Sequence, residues 1–290
     1  MRFFRFGPSG QEKPGAFDAS GTGRDISSLI PDLAGEHLHP ARLRALAGLD
    51  LAGLPAVDPA ERLGACVSGV RNFIGVGLNY TDHAAANGVP IPVEPALFNK
   101  APSCIVGPDD SIQLPPGSQK TDWEVELAVV IGAEAAYASE AATGDLIAGY
   151  CVCNDLSERS YQLERGGQWM KGKGCPTFGP LGPWLVTPDE AGDVQSLGMW
   201  LEVNGERVQS GSTATMIFSV RRLVSYASQF MTLRPGDVIT TGSPPGVGHG
   251  LKPPRYLQAG DRLRLGIEGL GEQQQVVVSA QRVGRPSEGT

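Results

Sequence analysis

Several features are scarce in this chain, and each scarcity removes a class of protein. No stretch approaches the roughly 18 consecutive apolar residues that span a bilayer, and the opening MRFFRFGPSGQEKPG holds no apolar segment of the kind a secretory leader uses. Neither a membrane span nor secretion is expected, and the protein is read as cytoplasmic. Basic runs are absent too. Acids outnumber bases 31 to 24, a net charge of −7, which argues against nucleic acid or an anionic membrane as partner and for a small molecule. The five cysteines, at 66, 104, 151, 153 and 175, are odd in number and form no CxxC pair, so they read as buried thiols rather than as disulfides or a zinc site. GxSxG and HExxH are missing. GGQWMKGKG has the GxxxxGK spacing of a phosphate loop, but Gly174 stands where Ser or Thr is required.

Glycine and proline, by contrast, are plentiful at 39 and 23. They imply many turns, hence a β-rich fold. A chain of 290 residues fits one large domain with a small appendage. Residues 1–68 read as a small N-terminal domain and linker, with a strand Phe3–Phe6 and a helix in PARLRALAGL. Residues 69–282 form the main domain, and 283–290 a tail. In MWLEVNGERVQS, Asn204 and Gly205 sit between two alternating strands, the pattern of a type I′ hairpin. Few segments have helical periodicity: one near 156–165, another in MIFSVRRLVSYASQF. A mixed, largely antiparallel domain follows.

The chemistry concentrates in TDWEVELAVVIG, residues 121–132. Asp122, Glu124 and Glu126 fall at every second position, so on a strand they leave one face. From Ala128 to Ile131 the chain is apolar on both sides, as in a buried strand. Residues i and i+2 lie about 7 Å apart, so a single hard cation above them could take an oxygen from Glu124 and another from Glu126. A solvated strand face explains the same acids equally well. A third ligand is available in GYCVCNDLSERSYQ, where Asp155 ends a strand and is also placed to cap the following helix. Arg159 and Gln162, four and seven residues further on, share its helical face. An all-carboxylate set favours Mg²⁺, Mn²⁺ or Ca²⁺. Of the four histidines, His83, just after the strand FIGVGL, is the best-placed base.

VGLNYTDHA, LFNKAPSCIVG, TDWEVELAVVIG, NDLSERSYQ, GQWMKGKGCPTFGPLGPWLVT and PGDVITTGSPPGVG follow one another in an order and spacing that resembles the fumarylacetoacetate hydrolase family. The resemblance runs from about Arg71 to Gly269. The N-terminal RFG, QEKPG and RDIS are similar to its sugar-acid branch, the hydrolases of 2,4-diketo-3-deoxy-L-rhamnonate and L-fuconate. It implies an α+β, β-rich fold, the family's mixed β-roll preceded by a small α/β domain, and a homodimer. It further implies that Glu124, Glu126 and Asp155 bind Mg²⁺ or Mn²⁺, that His83 activates water, and that Lys173 is catalytic and faces the substrate's oxygens. Lys100, Arg159, Gln162 and Ser243 are the implied substrate-binding residues. One position departs: Ala86 stands where many members carry a glutamate that pairs with the histidine. The implied activity is metal-assisted hydrolysis of the C3–C4 bond of a 2,4-diketo acid, a small-molecule 2-oxo acid substrate, to pyruvate and an acid such as lactate. Oxaloacetate decarboxylation, hydrolysis of another acylpyruvate such as fumarylpyruvate, and metal or ligand binding without turnover are the alternatives.

Overall fold

Among the described residues, short apolar runs punctuated by glycine and proline pair into three sheets. The computed structural model describes residues 1–82 and 90–280; His83, Ala86 and the expected tail 283–290 lie outside the described residues. The largest sheet runs β3 (Gly23–Asp25), β2 (Lys13–Phe17), β1 (Arg2–Phe6), β12 (Gly179–Val186), β10 (Ile147–Asn154), β9 (Val125–Ile131), β15 (Val238–Thr240), β4 (Phe73–Gly77) and β5 (Ala96–Lys100), with β6 (Ile105–Val106) parallel to β12. Within that path only β15 and β4 are parallel neighbours among the described residues. A second sheet runs β14 (Glu206–Ser212), β13 (Gly198–Val203), β16 (Arg262–Ile267), β17 (Gly271–Ser279) and β7 (Ile112–Leu114). The third is the pair β8 (Thr121–Asp122) and β11 (Ser157–Glu158).

Strands β9, β10 and β12 touch β13, β16 and β17, so the two large sheets pack together. No residue of β9 or β10 is exposed, which is what an apolar run without alternation predicts. Leu127, Val152, Leu201, Leu265 and Val277 are fully buried; each such side chain stabilises the fold by about 1.5–3 kcal/mol. The β13–β14 hairpin turns through Asn204 and Gly205 at φ 55° and 81°, the pair of positive angles a type I′ turn requires. The helix expected within 216–230 is shorter, Val220–Ala227, because the Ser219 hydroxyl accepts from Arg222 N and caps it there. Among the described residues no helix is long and apolar enough to cross a membrane.

Two local expectations change. The strand expected through 121–132 is broken at Trp123 and Glu124. Side-chain amides serve the backbone there: Asn154 Oδ1 accepts from Glu124 N at 3.2 Å and Gln209 Oε1 from Val125 N at 3.0 Å, so no buried donor is orphaned by the break. Asp155 does not cap the next helix. That helix, Arg159–Leu163, starts after β11, and its cap is Glu158, which accepts from Ser160 N at 3.1 Å. Asp155 is left to turn inward.

Candidate active site

The β9–β10 register places Cys153 opposite Glu126 and Asn154 opposite Val125. Glu124 therefore precedes one strand and Asp155 follows the other at the same end of the pair. One oxygen from each of Glu124, Glu126 and Asp155 lies within 4.8 Å of the others, and all three residues are buried. Glu126 Oε2 accepts from Gly242 N at 2.9 Å. Gly242 has φ 93°, and a Cβ there would lie 2.9 Å from Asn79 Cβ, so the close approach needs glycine.

Three buried cations surround the acids. Lys173 Nζ donates to Glu124 Oε2 and Asp155 Oδ2, both at 2.5 Å. Lys100 Nζ reaches Asp155 Oδ1 and the Lys173 carbonyl, both at 2.6 Å. Arg159 donates to Asp122 Oδ2 at 2.8 Å, Glu124 Oε1 at 2.6 Å and Gln162 Oε1 at 3.0 Å. Asp122 also accepts from Gly248 N at 2.7 Å and His249 N at 3.0 Å, tying that loop to Arg159.

The charges do not balance. Among the described residues, Asp122, Glu124, Glu126 and Asp155 face Lys100, Lys173 and Arg159 alone as charged partners, all of them buried. Burial raises the Glu124 carboxyl, but Lys173 and Arg159 overcome it and hold it well below the usual carboxylate range. Glu126 goes the other way: burial first, then the charges of Asp155 and Glu124, push it well above its ordinary value. Burial alone would lower Lys100 and Arg159, yet their carboxylate partners raise both. Three converging oxygens from carboxylates, with one carboxylate short of positive charge, match what a hard divalent cation requires. Glu124, Glu126 and Asp155 could hold it.

The acids open into a cavity of about 130 Å³, lined also by Arg159, Gln162, Lys173, Ser243, Phe98, Trp169 and His249. Ser243 Oγ is engaged below the surface, accepting from Gln209 Nε2 at 2.8 Å and donating to the Val125 carbonyl at 3.1 Å. Lys100, expected against the substrate, is not among the lining residues; it sits behind Asp155.

The family model described as Fumarylacetoacetate (FAA) hydrolase C-terminal matches residues 72–278. The chain belongs to the fumarylacetoacetate hydrolase family. A Burkholderia multivorans protein, provisionally named a hydrolase with no substrate given, is 60% identical over 97% of this chain and 100% of its own. The fumarylacetoacetate hydrolase structure from Exiguobacterium antarcticum shares 38% identity at a TM-score of 0.85, over 97% of this chain and 100% of that one. A 5-carboxymethyl-2-hydroxymuconate delta-isomerase from Mycobacterium smegmatis is similar at 32% and 0.78, with the same coverage. So is the maleylpyruvate hydrolase from Sphingobium sp. SYK-6, at 28% and 0.80, whose structure holds manganese(II) and pyruvate. Family members of this fold thus include both hydrolases and isomerases.

In the sequence Asp122 lies on the acidic strand face and His249 in the glycine-rich GVGHG, residues 246–250. Only the packing of residues 247–256 against β8 brings the two together, and no local pattern encodes that. The alternation Asp122, Glu124, Glu126 was the one available signal, and it marks Asp122 as part of the acidic face without giving its partner.

Proposed function

We propose that the protein is a divalent-metal-dependent hydrolase that cleaves the C3–C4 bond of a 2,4-diketo acid, with 2,4-diketo-3-deoxy-L-rhamnonate or L-fuconate as substrate. The observation that carries this reading is the convergence of Glu124, Glu126 and Asp155 within 4.8 Å at the floor of a cavity that Arg159 and Lys173 also line. Bound there, Mg²⁺ or Mn²⁺ would supply Lewis-acid stabilisation of negative charge developing on substrate oxygens, worth several kcal/mol.

The chain's own groups do the rest. Arg159 and Lys173 are the cations that meet the substrate's carboxylate and 2-oxo group. Gln162 accepts from Arg159 through Oε1, which leaves its amide N–H groups to donate to a substrate oxygen. Burial makes each of these contacts stronger than it would be in water. His83 is the base that takes a proton from water; hydroxide adds to C4, the C3–C4 bond breaks, and its electron pair passes to the pyruvate enolate, which is protonated at C3. The products are pyruvate and the acid of the acyl half, lactate for the rhamnonate substrate.

Pyruvate release, coupled to lactate dehydrogenase and NADH, tests the reading. The panel contains diketo-deoxy sugar acids, simple acylpyruvates and oxaloacetate, each with Mn²⁺ or Mg²⁺ and again with chelator. Metal-dependent release from a diketo sugar acid is the expected result. Release from oxaloacetate alone would move the assignment to a decarboxylase, and no release from any of them would favour a binding protein.

A further inference from the structure

The floor of the cavity is charged, whereas its walls differ. Leu78, Phe98, Trp169 and Val247 are apolar, and His249 adds a polar group at the exposed rim. Phe98 and Trp169 pack with ring centroids 5.4 Å apart. Leu78 is held at φ 54°, a conformation that costs a leucine of order 1–3 kcal/mol and gathers at functional sites.

His249 is fixed at both ends. Its backbone N–H donates to Asp122, which also binds Arg159, and its Nδ1 lies 2.9 Å from the Tyr256 hydroxyl. Burial, then the Arg159 charge, lowers the imidazole below its ordinary value, so the ring is neutral at neutral pH. Burial raises the Tyr256 phenol, so it keeps its proton. The phenol engages Nδ1, so Nε2 is the ring nitrogen left over, a donor or an acceptor with the tautomer, and no described residue bonds it. The result is a neutral, oriented hydrogen-bonding group at the rim.

What the rim lacks decides the ligand class. Among the described residues lining the cavity, the cations are Arg159 and Lys173, both held at the acidic floor by Asp122, Glu124 and Asp155 and assigned above to the substrate's own carboxylate and 2-oxo group. Lys120, whose charge acts on His249, is paired with Glu164 at 2.5 Å. A second carboxylate on the acyl half would find no further cation among these, whereas a hydroxyl, both donor and acceptor, would find Nε2 in either tautomer and a short alkyl chain would find the apolar walls. The size agrees: at roughly 10–15 Å³ per water, about 130 Å³ holds on the order of ten non-hydrogen atoms, a six-carbon diketo acid.

We infer that His249, oriented by Tyr256, is a specificity-determining residue that hydrogen-bonds a hydroxyl on a short, uncharged acyl half, so that the site selects hydroxylated monocarboxylates over dicarboxylic acylpyruvates. This rests on the functional reading above and adds the acyl-half recognition to it.

The test compares three substrates on the Mg²⁺-loaded protein: 5-hydroxy-2,4-dioxohexanoate, its 5-deoxy analogue 2,4-dioxohexanoate, and the dicarboxylic fumarylpyruvate. Both kcat/KM and calorimetric Kd are measured for the parent, His249→Ala, His249→Asn and Tyr256→Phe. The parent should favour the hydroxylated over the deoxy substrate by about tenfold, the value of one good hydrogen bond, with fumarylpyruvate poorest. The ratio should fall toward one in His249→Ala, fall partway in Tyr256→Phe, and recover in part in His249→Asn. An unchanged ratio in His249→Ala, or fumarylpyruvate as the best substrate, overturns the inference. If the parent turns over none of the three, the hydrolase reading fails, and the Kd ratios still decide the role of His249.

Discussion

Lys100 Nζ lies 2.6 Å from Asp155 Oδ1, and neither side chain has any exposed surface. A lysine so enclosed cannot reach a substrate in the cavity; it holds Asp155 and, through the Lys173 carbonyl at 2.6 Å, the helix turn that carries Lys173. Lys100→Met should therefore act on stability. Removing one partner of a buried ion pair costs about 3–5 kcal/mol, to be read as a lower urea midpoint. A variant of parental stability with only a raised KM would instead place Lys100 at the substrate.

Glu126 gives a pH prediction. Burial and the neighbouring charges of Asp155 and Glu124 raise its carboxyl well above the ordinary 4.5. A carboxyl raised in the folded state contributes stability that is complete below its unfolded value and is lost as pH rises through the folded value. In chelator, Glu126→Gln should be more stable than the parent, and the gain should widen between about pH 5 and about pH 8. The lowered carboxyl of Glu124 has the opposite slope, but both proteins carry it, so it cancels to first order. Equal urea midpoints at both pH values would contradict the assigned direction. The same substitution should abolish metal dependence and nearly all turnover.

Arg159 binds Asp122, Glu124 and Gln162 through three different nitrogens. A lysine keeps the charge and loses the planar fork. Arg159→Lys is expected to lower kcat/KM by about 10²-fold, the equivalent of one or two charge-assisted hydrogen bonds. Steady-state kinetics at saturating Mn²⁺ would check it, and a change below about threefold would argue that charge alone suffices.

Asp122 accepts from Arg159 and from three backbone donors, Trp123 N, Gly248 N and His249 N, with no exposed surface of its own. Asp122→Ala removes the acceptor from all four at once and leaves Arg159 only Glu124 and Gln162. It should cost about 3–5 kcal/mol in urea unfolding and depress kcat/KM by loosening both Arg159 and the loop. A parental unfolding midpoint would mean that water or another acid takes its place.

The recognition motifs were legible because they are local. The alternation of Glu124 and Glu126, the apolar run that follows them, and the Asn204–Gly205 turn depend on side-chain periodicity and backbone angles, which neighbouring residues fix by themselves. Other features were misread for the opposite reason. Asp155 has the position of a helix cap, yet β11 pairs with β8 and delays the helix to Arg159. The strand break at Trp123–Glu124 exists because two distant amides, Asn154 and Gln209, accept the backbone donors there.

By itself, then, the sequence determined the residue types of a hard-cation site, the β-rich architecture and the family. The tertiary structure alone decided which acids converge: Asp122 belongs to Arg159 and the 247–256 loop, while Glu124, Glu126 and Asp155 face one point. The physical reason is that a buried carboxylate must find donors or opposite charge wherever packing leaves it, and those partners lie dozens of residues away, across sheets whose register no local pattern encodes.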